Sequence, residues 1–171
     1  MSTSALLQQR VADLVAHFVH IQNDRMVGIP ILNSVLSVEA VGFAWAGPAP
    51  EGAAPMGEGV LITPWFMSLL RLPAQVLPHR NQIGRKFVRD FGSERFDFIG
   101  AHDPAIGYHE TCALFSPMQG FDSQARAIET ALEALALTRP PPAKPVPARE
   151  PMPSRRSFFL PDRSAGPGAA R

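Results

Sequence analysis

Gly84-Arg85-Lys86-Phe87-Val88-Arg89-Asp90-Phe91, then Gly92-Ser93, then Arg95-Phe96-Asp97-Phe98-Ile99, is the stretch that decides the fold. Phenylalanines at 87, 91, 96 and 98 alternate with charged residues, which is the period of two of a strand and not the 3.6 of a helix. Gly92-Ser93 supplies the turn, so the stretch predicts a β-hairpin. Upstream, Gly59-Val60-Leu61-Ile62-Thr63 predicts a continuous apolar strand that Pro64 stops. Trp65-Phe66-Met67-Ser68-Leu69-Leu70 reads equally as a strand or as one short helix, ending before Pro73. Residues 36–43 alternate as another strand, 28–33 form a non-helical connector, and the Pro/Gly/Ala-rich residues 47–57 are a loop or long hairpin connection. Residues 108–115 predict a further strand. Helices close both ends. In the first, residues 5–23, Ser4 is the expected cap and Leu7, Val11, Leu14, Val15, Phe18 and Ile21 form a single apolar stripe. In the second, Asp122 is the expected cap, and Ala125, Ile128, Ala131, Leu132 and Leu135 share a face. The expected class is α+β, a two-layer sandwich with a mostly antiparallel sheet and an N-terminal and a C-terminal helix.

The 171 residues, 46% of them hydrophobic, suit one ordinary domain plus an unstructured segment. Net charge is +1, but it divides unevenly. Through Leu137 there are nine Lys/Arg against thirteen Asp/Glu, whereas beyond it there are seven against two. Half of the 18 prolines lie in that basic tail, which opens with Pro140-Pro141-Pro142. The expected organisation is therefore a domain over residues 1–137 and a disordered, polyproline-like tail over 138–171. Within the tail, Ser154, Arg155, Arg156, Ser157, Phe158 and Phe159 read like the twin-arginine export signature. They depart from it at Phe159, where leucine is usual, and at Leu160, where lysine is usual. The residues that follow, Pro161-Asp162-Arg163, cannot continue as an apolar run, so the motif is expected to imitate a signal and not to act as one. The N-terminal residues carry no basic region and apolar core, and no membrane insertion is expected.

Little in the chain promises catalysis. The single Cys112 excludes an intrachain disulfide, a four-cysteine zinc site and a rubredoxin-type iron site, and it suits a reducing compartment. His109 lies three residues before it, on the opposite face of a strand, so no thiolate–imidazole pair forms. His102-Asp103 sits in a turn, and His17 and His20 read as a surface pair on a helix, with no metal or other cofactor expected. No phosphate-binding glycine motif occurs. Arg80, Arg85, Lys86 and Arg89 are diluted by Asp90, Glu94 and Asp97, which argues against nucleic acid.

Binding is better supported. Trp65, Phe66 and Met67 cluster directly after Pro64, where a peptide could add at a sheet edge. Carboxylates on or beside strands, Glu39 and Glu110 above all, with Glu58 and Asp97, are candidate receptors for an arginine pair.

Four blocks in order complete the sequence evidence: Arg25-Met26-Val27-Gly28-Ile29-Pro30-Ile31-Leu32-Asn33, Val38-Glu39-Ala40-Val41-Gly42-Phe43, Gly59-Val60-Leu61-Ile62-Thr63-Pro64-Trp65-Phe66-Met67 and Cys112-Ala113-Leu114-Phe115-Ser116-Pro117-Met118. Over about residues 25–137 the chain resembles the HybE/HupJ family of nickel–iron hydrogenase assembly chaperones. The resemblance implies a cytoplasmic, non-catalytic protein with a two-layer α/β fold. Its implied partner is the hydrogenase small subunit, held with its twin-arginine signal peptide until the cofactors are in place; the large subunit and other maturation factors are further candidates. Some relatives carry a fused rubredoxin domain, and this chain lacks the paired cysteines for it. In this setting the segment at 154–159 is expected to be a pseudo-signal that docks on the body and that the real signal displaces. The other class of function left open is a redox or metal-handling factor acting through Cys112 or the histidines.

Overall fold

The computed structural model describes residues 2–48 and 50–139. Helix α1 spans Thr3–Asp24, and strands β1 Glu39–Trp45, β2 Met56–Ile62, β3 Met67–Pro73, β4 Lys86–Phe91, β5 Glu94–Asp103 and β6 Gly107–Phe115 follow, before helix α2 Gln124–Thr138. The strands form one sheet in the order β1-β2-β3-β6-β5-β4, with every neighbouring pair antiparallel. The expected hairpin is present as β4–β5, with Phe87 opposite Phe98 and Arg89 opposite Phe96. This is the α+β class read from the sequence, with a helix at each end of the chain.

The pleat of β2 shows how the helices are arranged. Val60 and Ile62 join Met67, Leu69, Phe91 and Phe98 in a core with Ala127, Ala131 and Leu135 of α2. Leu61, between them, joins Leu70, Leu72 and Ile106 in a second core with Leu14 of α1. Alternate residues of a strand point to opposite faces, so α1 and α2 cover opposite faces and the layers run helix–sheet–helix, where the sequence reading expected two layers.

Several boundaries differ from the sequence reading, each for a local reason. The cap of α1 is Ser2, whose hydroxyl accepts from the Ala5 amide at 3.2 Å, so Ser4 lies inside the helix. The cap of α2 is Ser123, which accepts from the Arg126 amide, while Asp122 accepts from the Ser123 hydroxyl. The buried face of α2 is Ala127, Ala131, Leu135 and Thr138, which leaves Ala125 and Leu132 exposed. Residues 36–38 stay outside β1 because Ser37 is taken by the first residue of α2, its amide donating to Gln124 Oε1 at 2.9 Å. Trp65 and Phe66 are neither strand nor helix. They sit in the turn that Pro64 opens, where Thr63 Oγ1 accepts from the Phe66 amide at 2.9 Å.

One structural residue was not visible in the sequence. Arg10 is buried, and it pins α1 to the sheet by donating through Nε to the Pro73 carbonyl (3.0 Å) and through Nη2 to the Ile106 carbonyl (2.8 Å). A charged residue inside an apolar helix face reads as solvated until tertiary partners are known.

Candidate functional site

Two hollows of similar size lie on the described surface, and they are chemically opposite. The first, about 680 Å³, lies between α1 and β1. Its walls are Leu7, Val11 and Val15 from the helix and Val38, Ala40 and Phe43 from the strand side, with the small residues Ala12 and Ala16 along the helical rim. The helix explains why it exists. Leu14 and Phe18 of the expected stripe turn into the α1-side core, whereas Leu7, Val11 and Val15, spaced four apart, line the groove instead. Val19 continues that row and is itself exposed. The strand wall is the outer strand of the sheet, so one edge of β1 has no strand partner among the described residues. A bulge between Val41 and Ala44 interrupts that edge. Gly42 sits at it with φ +63°, its carbonyl taken by Arg139 Nη1 at 2.6 Å.

The second hollow, about 660 Å³, is lined by Pro55, His79, Gln82, Arg89, Tyr108 and Glu110 among others. Glu110 is 2% exposed, yet fully partnered. It accepts from Arg71 Nη1, from Arg89 Nη2 at 2.8 Å and from the Tyr108 hydroxyl at 2.9 Å. Arg71 also donates through Nε to Glu58 at 3.0 Å. Burial alone would raise the Glu110 carboxyl, but the hydrogen bonds from Arg89 and Tyr108 and the charge on Arg71 outweigh it and hold it below the usual carboxylate range. Burial, then the Glu110 charge, pushes the Tyr108 phenol up. The network satisfies itself.

The expected binding residues therefore part company. Met67 is wholly buried in the α2-side core. Phe66 packs with the α1-side core and meets Phe18 edge-on at 5.7 Å, and Trp65 also meets Phe66 edge-on, at 5.7 Å. Glu39 belongs to the groove strand, but its carboxylate accepts from Gln124 Nε2 at 2.7 Å on the α2 side. Glu110 lies in the other hollow, held by its own arginines. Ser154, Arg155, Arg156, Phe158 and Phe159 lie outside the described residues.

The catalytic candidates do not converge. Cys112 is half-buried against the α2-side core, and burial, followed by the charge of Asp97, raises its thiol. A protonated, enclosed thiol is a poor nucleophile. His109, on the other face of β6, is buried, with Nδ1 3.2 Å from the Gly107 carbonyl, and burial lowers its pKa. His17 Nε2 lies 3.4 Å from Asp103, and no cluster of three metal-ligating side chains occurs among the described residues.

Sequence reasoning missed a further surface, where three of the quoted blocks meet. Asn33 donates its side-chain amide to the carbonyls of Met118 (2.9 Å) and Phe121 (2.8 Å), and its backbone amide to Pro64 (2.8 Å). Gln119 ties down the Ile31 carbonyl. The loop is thus anchored through its polar atoms while Val27, 67% exposed, and Ile29, Ile31 and Val35 face solvent. The only signal in the sequence was an apolar run without helical or strand period.

The fold is an antiparallel sheet with a helix on each face, an open apolar groove and a closed polar network, and comparison with known proteins specifies the family. The family described as NiFe-hydrogenase assembly, chaperone, HybE matches residues 9–161, and this chain belongs to it. It is 42% identical over 163 residues to Protein HoxT of Cupriavidus necator, covering 88% of each chain. It is 37% identical over 147 residues to the hydrogenase expression/formation protein HoxT of Azotobacter vinelandii, covering 84% of this chain and 90% of that one. A protein of Rhodobacter capsulatus called Probable rubredoxin HupJ is 37% identical over 133 residues, but the match spans 45% of its length. The solution structure of HybE from Escherichia coli has the same fold, with a TM-score of 0.55, 20% identity and 91% of each chain covered.

Proposed function

We propose that this hydrogenase assembly chaperone works without catalysis in the cytoplasm, holding the small subunit of a nickel–iron hydrogenase through its twin-arginine signal peptide until the cofactors are inserted. The observation that carries the reading is the α1–β1 groove: half-buried apolar side chains beside a strand edge that has no strand partner among the described residues are what a peptide receptor needs. The separation of Cys112 from His109 and the raised thiol favour a chaperone over a redox factor. The basic tail fits the same reading. Its Ser154–Phe159 segment, which falls within the family match, is a competitor for the signal, and the domain ends near residue 137.

The test is co-purification of the full-length chain with small-subunit precursor and with the same subunit lacking its signal. Capture of the precursor alone is the expected result. Equal capture of both would move recognition to the subunit body, and capture of the large subunit in place of either would replace the partner.

A further inference from the structure

We infer that the groove between α1 and β1 receives its partner as an added strand: an extended peptide that lies along β1 residues 39–41, sets its large apolar side chains against Leu7, Val11 and Val15, and carries arginine next to that apolar run. The inference rests on the peptide-receptor reading above and deepens it by naming the site and the conformation of the bound chain.

Three observations carry it. The first is the division of labour along α1. A helix normally buries one stripe against its own sheet, and here Leu14 and Phe18 do that, while a parallel row lies at the groove with Ala12 and Ala16 exposed beside it. Small residues at the rim let a backbone approach the helix closely. The second is the strand edge. The bulge leaves the start of β1 as an uninterrupted run, where Glu39, Ala40 and Val41 face Ile62, Leu61 and Val60 in register, and Glu39 and Ala40 line the groove. An extended chain docked there has its backbone groups satisfied by the edge and alternate side chains directed into the hollow. A helix docked there would leave the edge unpaired. The third is charge. Among the described residues no Lys or Arg lines the groove, and Glu39 is its one ionisable member. The Glu39 carboxylate turns to the α2 side, to Gln124, so the groove itself holds neither an opposing cation nor a dedicated carboxylate. The described residues as a whole carry ten Lys/Arg against thirteen Asp/Glu, which favours a basic peptide over an acidic one.

The experiment uses the full chain and a labelled synthetic peptide that places Ser-Arg-Arg-x-Phe-Leu ahead of an apolar run. Ala12→Arg with Ala16→Arg fills the groove from exposed helix positions, and Ala125→Arg with Ala136→Arg puts the same charge on exposed positions of α2 as a control. We expect the groove variant to bind about tenfold or more weakly, equivalent to ~1.4 kcal/mol or more. The control should bind as the parent does, and both should keep the parent's circular dichroism. Hydrogen exchange should show new amide protection in residues 39–45 when the peptide is bound. If both variants bind like the parent, or protection appears elsewhere, the groove assignment is overturned while peptide reception stands. If the parent does not bind the peptide at all, the receptor reading falls with it. A concentration-dependent dimer that the groove variant abolishes, with no peptide bound, would put a second copy of this chain in the groove and overturn the proposal.

Discussion

The two hollows differ less in size than in what their residues still lack. Around Glu110, two arginines, a tyrosine and a second glutamate meet every strong hydrogen-bonding need within the fold, so the charge that looks ready for a partner already has one. Between α1 and β1 almost nothing is charged, but a row of valines and leucine is only half-buried and a strand edge has no strand neighbour among the described residues. An exposed apolar groove is costly to a protein that has no use for it, because burial of that surface would stabilise by roughly 25 cal/mol per Å². The contrast is between charge already paired within the fold and apolar surface only half covered by it.

The contrast can be broken most sharply at Glu110. Glu110→Ala removes the carboxylate shared by Arg71, which keeps Glu58, and by the partly exposed Arg89, and should cost about 3 kcal/mol, the low end for a broken buried pair, in urea unfolding while leaving peptide affinity of the folded protein unchanged. Lost affinity at full stability would make the second hollow the receptor. Next in size is Gly92→Ala. Its φ is +61° and a Cβ would meet the Thr138 carbonyl oxygen at 2.0 Å, so the β4–β5 turn would have to leave the end of α2. We expect about 1–3 kcal/mol of destabilisation by thermal or chemical unfolding, again with the groove intact.

Acid should then weaken the fold through His109. Its folded pKa lies below the unfolded value of about 6.5, so its contribution is complete above that pH and is lost as pH falls toward the folded value. Unfolding free energy should drop from pH 7 to pH 5, and His109→Leu should flatten the slope; an unaltered slope would assign the effect to His17 or the carboxylates. Cys112→Ser should leave hydrogenase maturation near the parent level in a strain lacking the chromosomal copy, and a complete loss would revive the redox alternative. The smallest expected effect is in the tail. Arg155→Lys with Arg156→Lys keeps charge but loses the planar fork, and should tighten signal-peptide binding to the full chain by a few-fold as competition weakens.

Much of the architecture was legible because it depends on local period. The alternation at 86–91 and 95–99, the apolar run stopped by Pro64 and the two amphipathic segments each produced the element expected of them. Helix caps shifted because two neighbouring residues could each supply the oxygen: Ser2 and Ser4 at one end, Asp122 and Ser123 at the other. The site was far less legible. Trp65, Phe66 and Met67 are adjacent in sequence, but the turn after Thr63 sends them to a rim and to opposite cores. Glu39 and Glu110 are both strand carboxylates, but their bonds come from residues 85 positions away on α2 and from β3 and β4 respectively.

By itself the sequence determined the α+β class, the hairpin and the family, since those follow from periodicity and ordered local blocks. Tertiary structure decided which face each helix covers, that Arg10 is a buried staple, that the Glu110 carboxylate is already bound, and that half of the α1 stripe remains outside the core. The physical reason is that period assigns a residue to a face, whereas whether that face is covered or a charge is paired depends on elements far away in the chain.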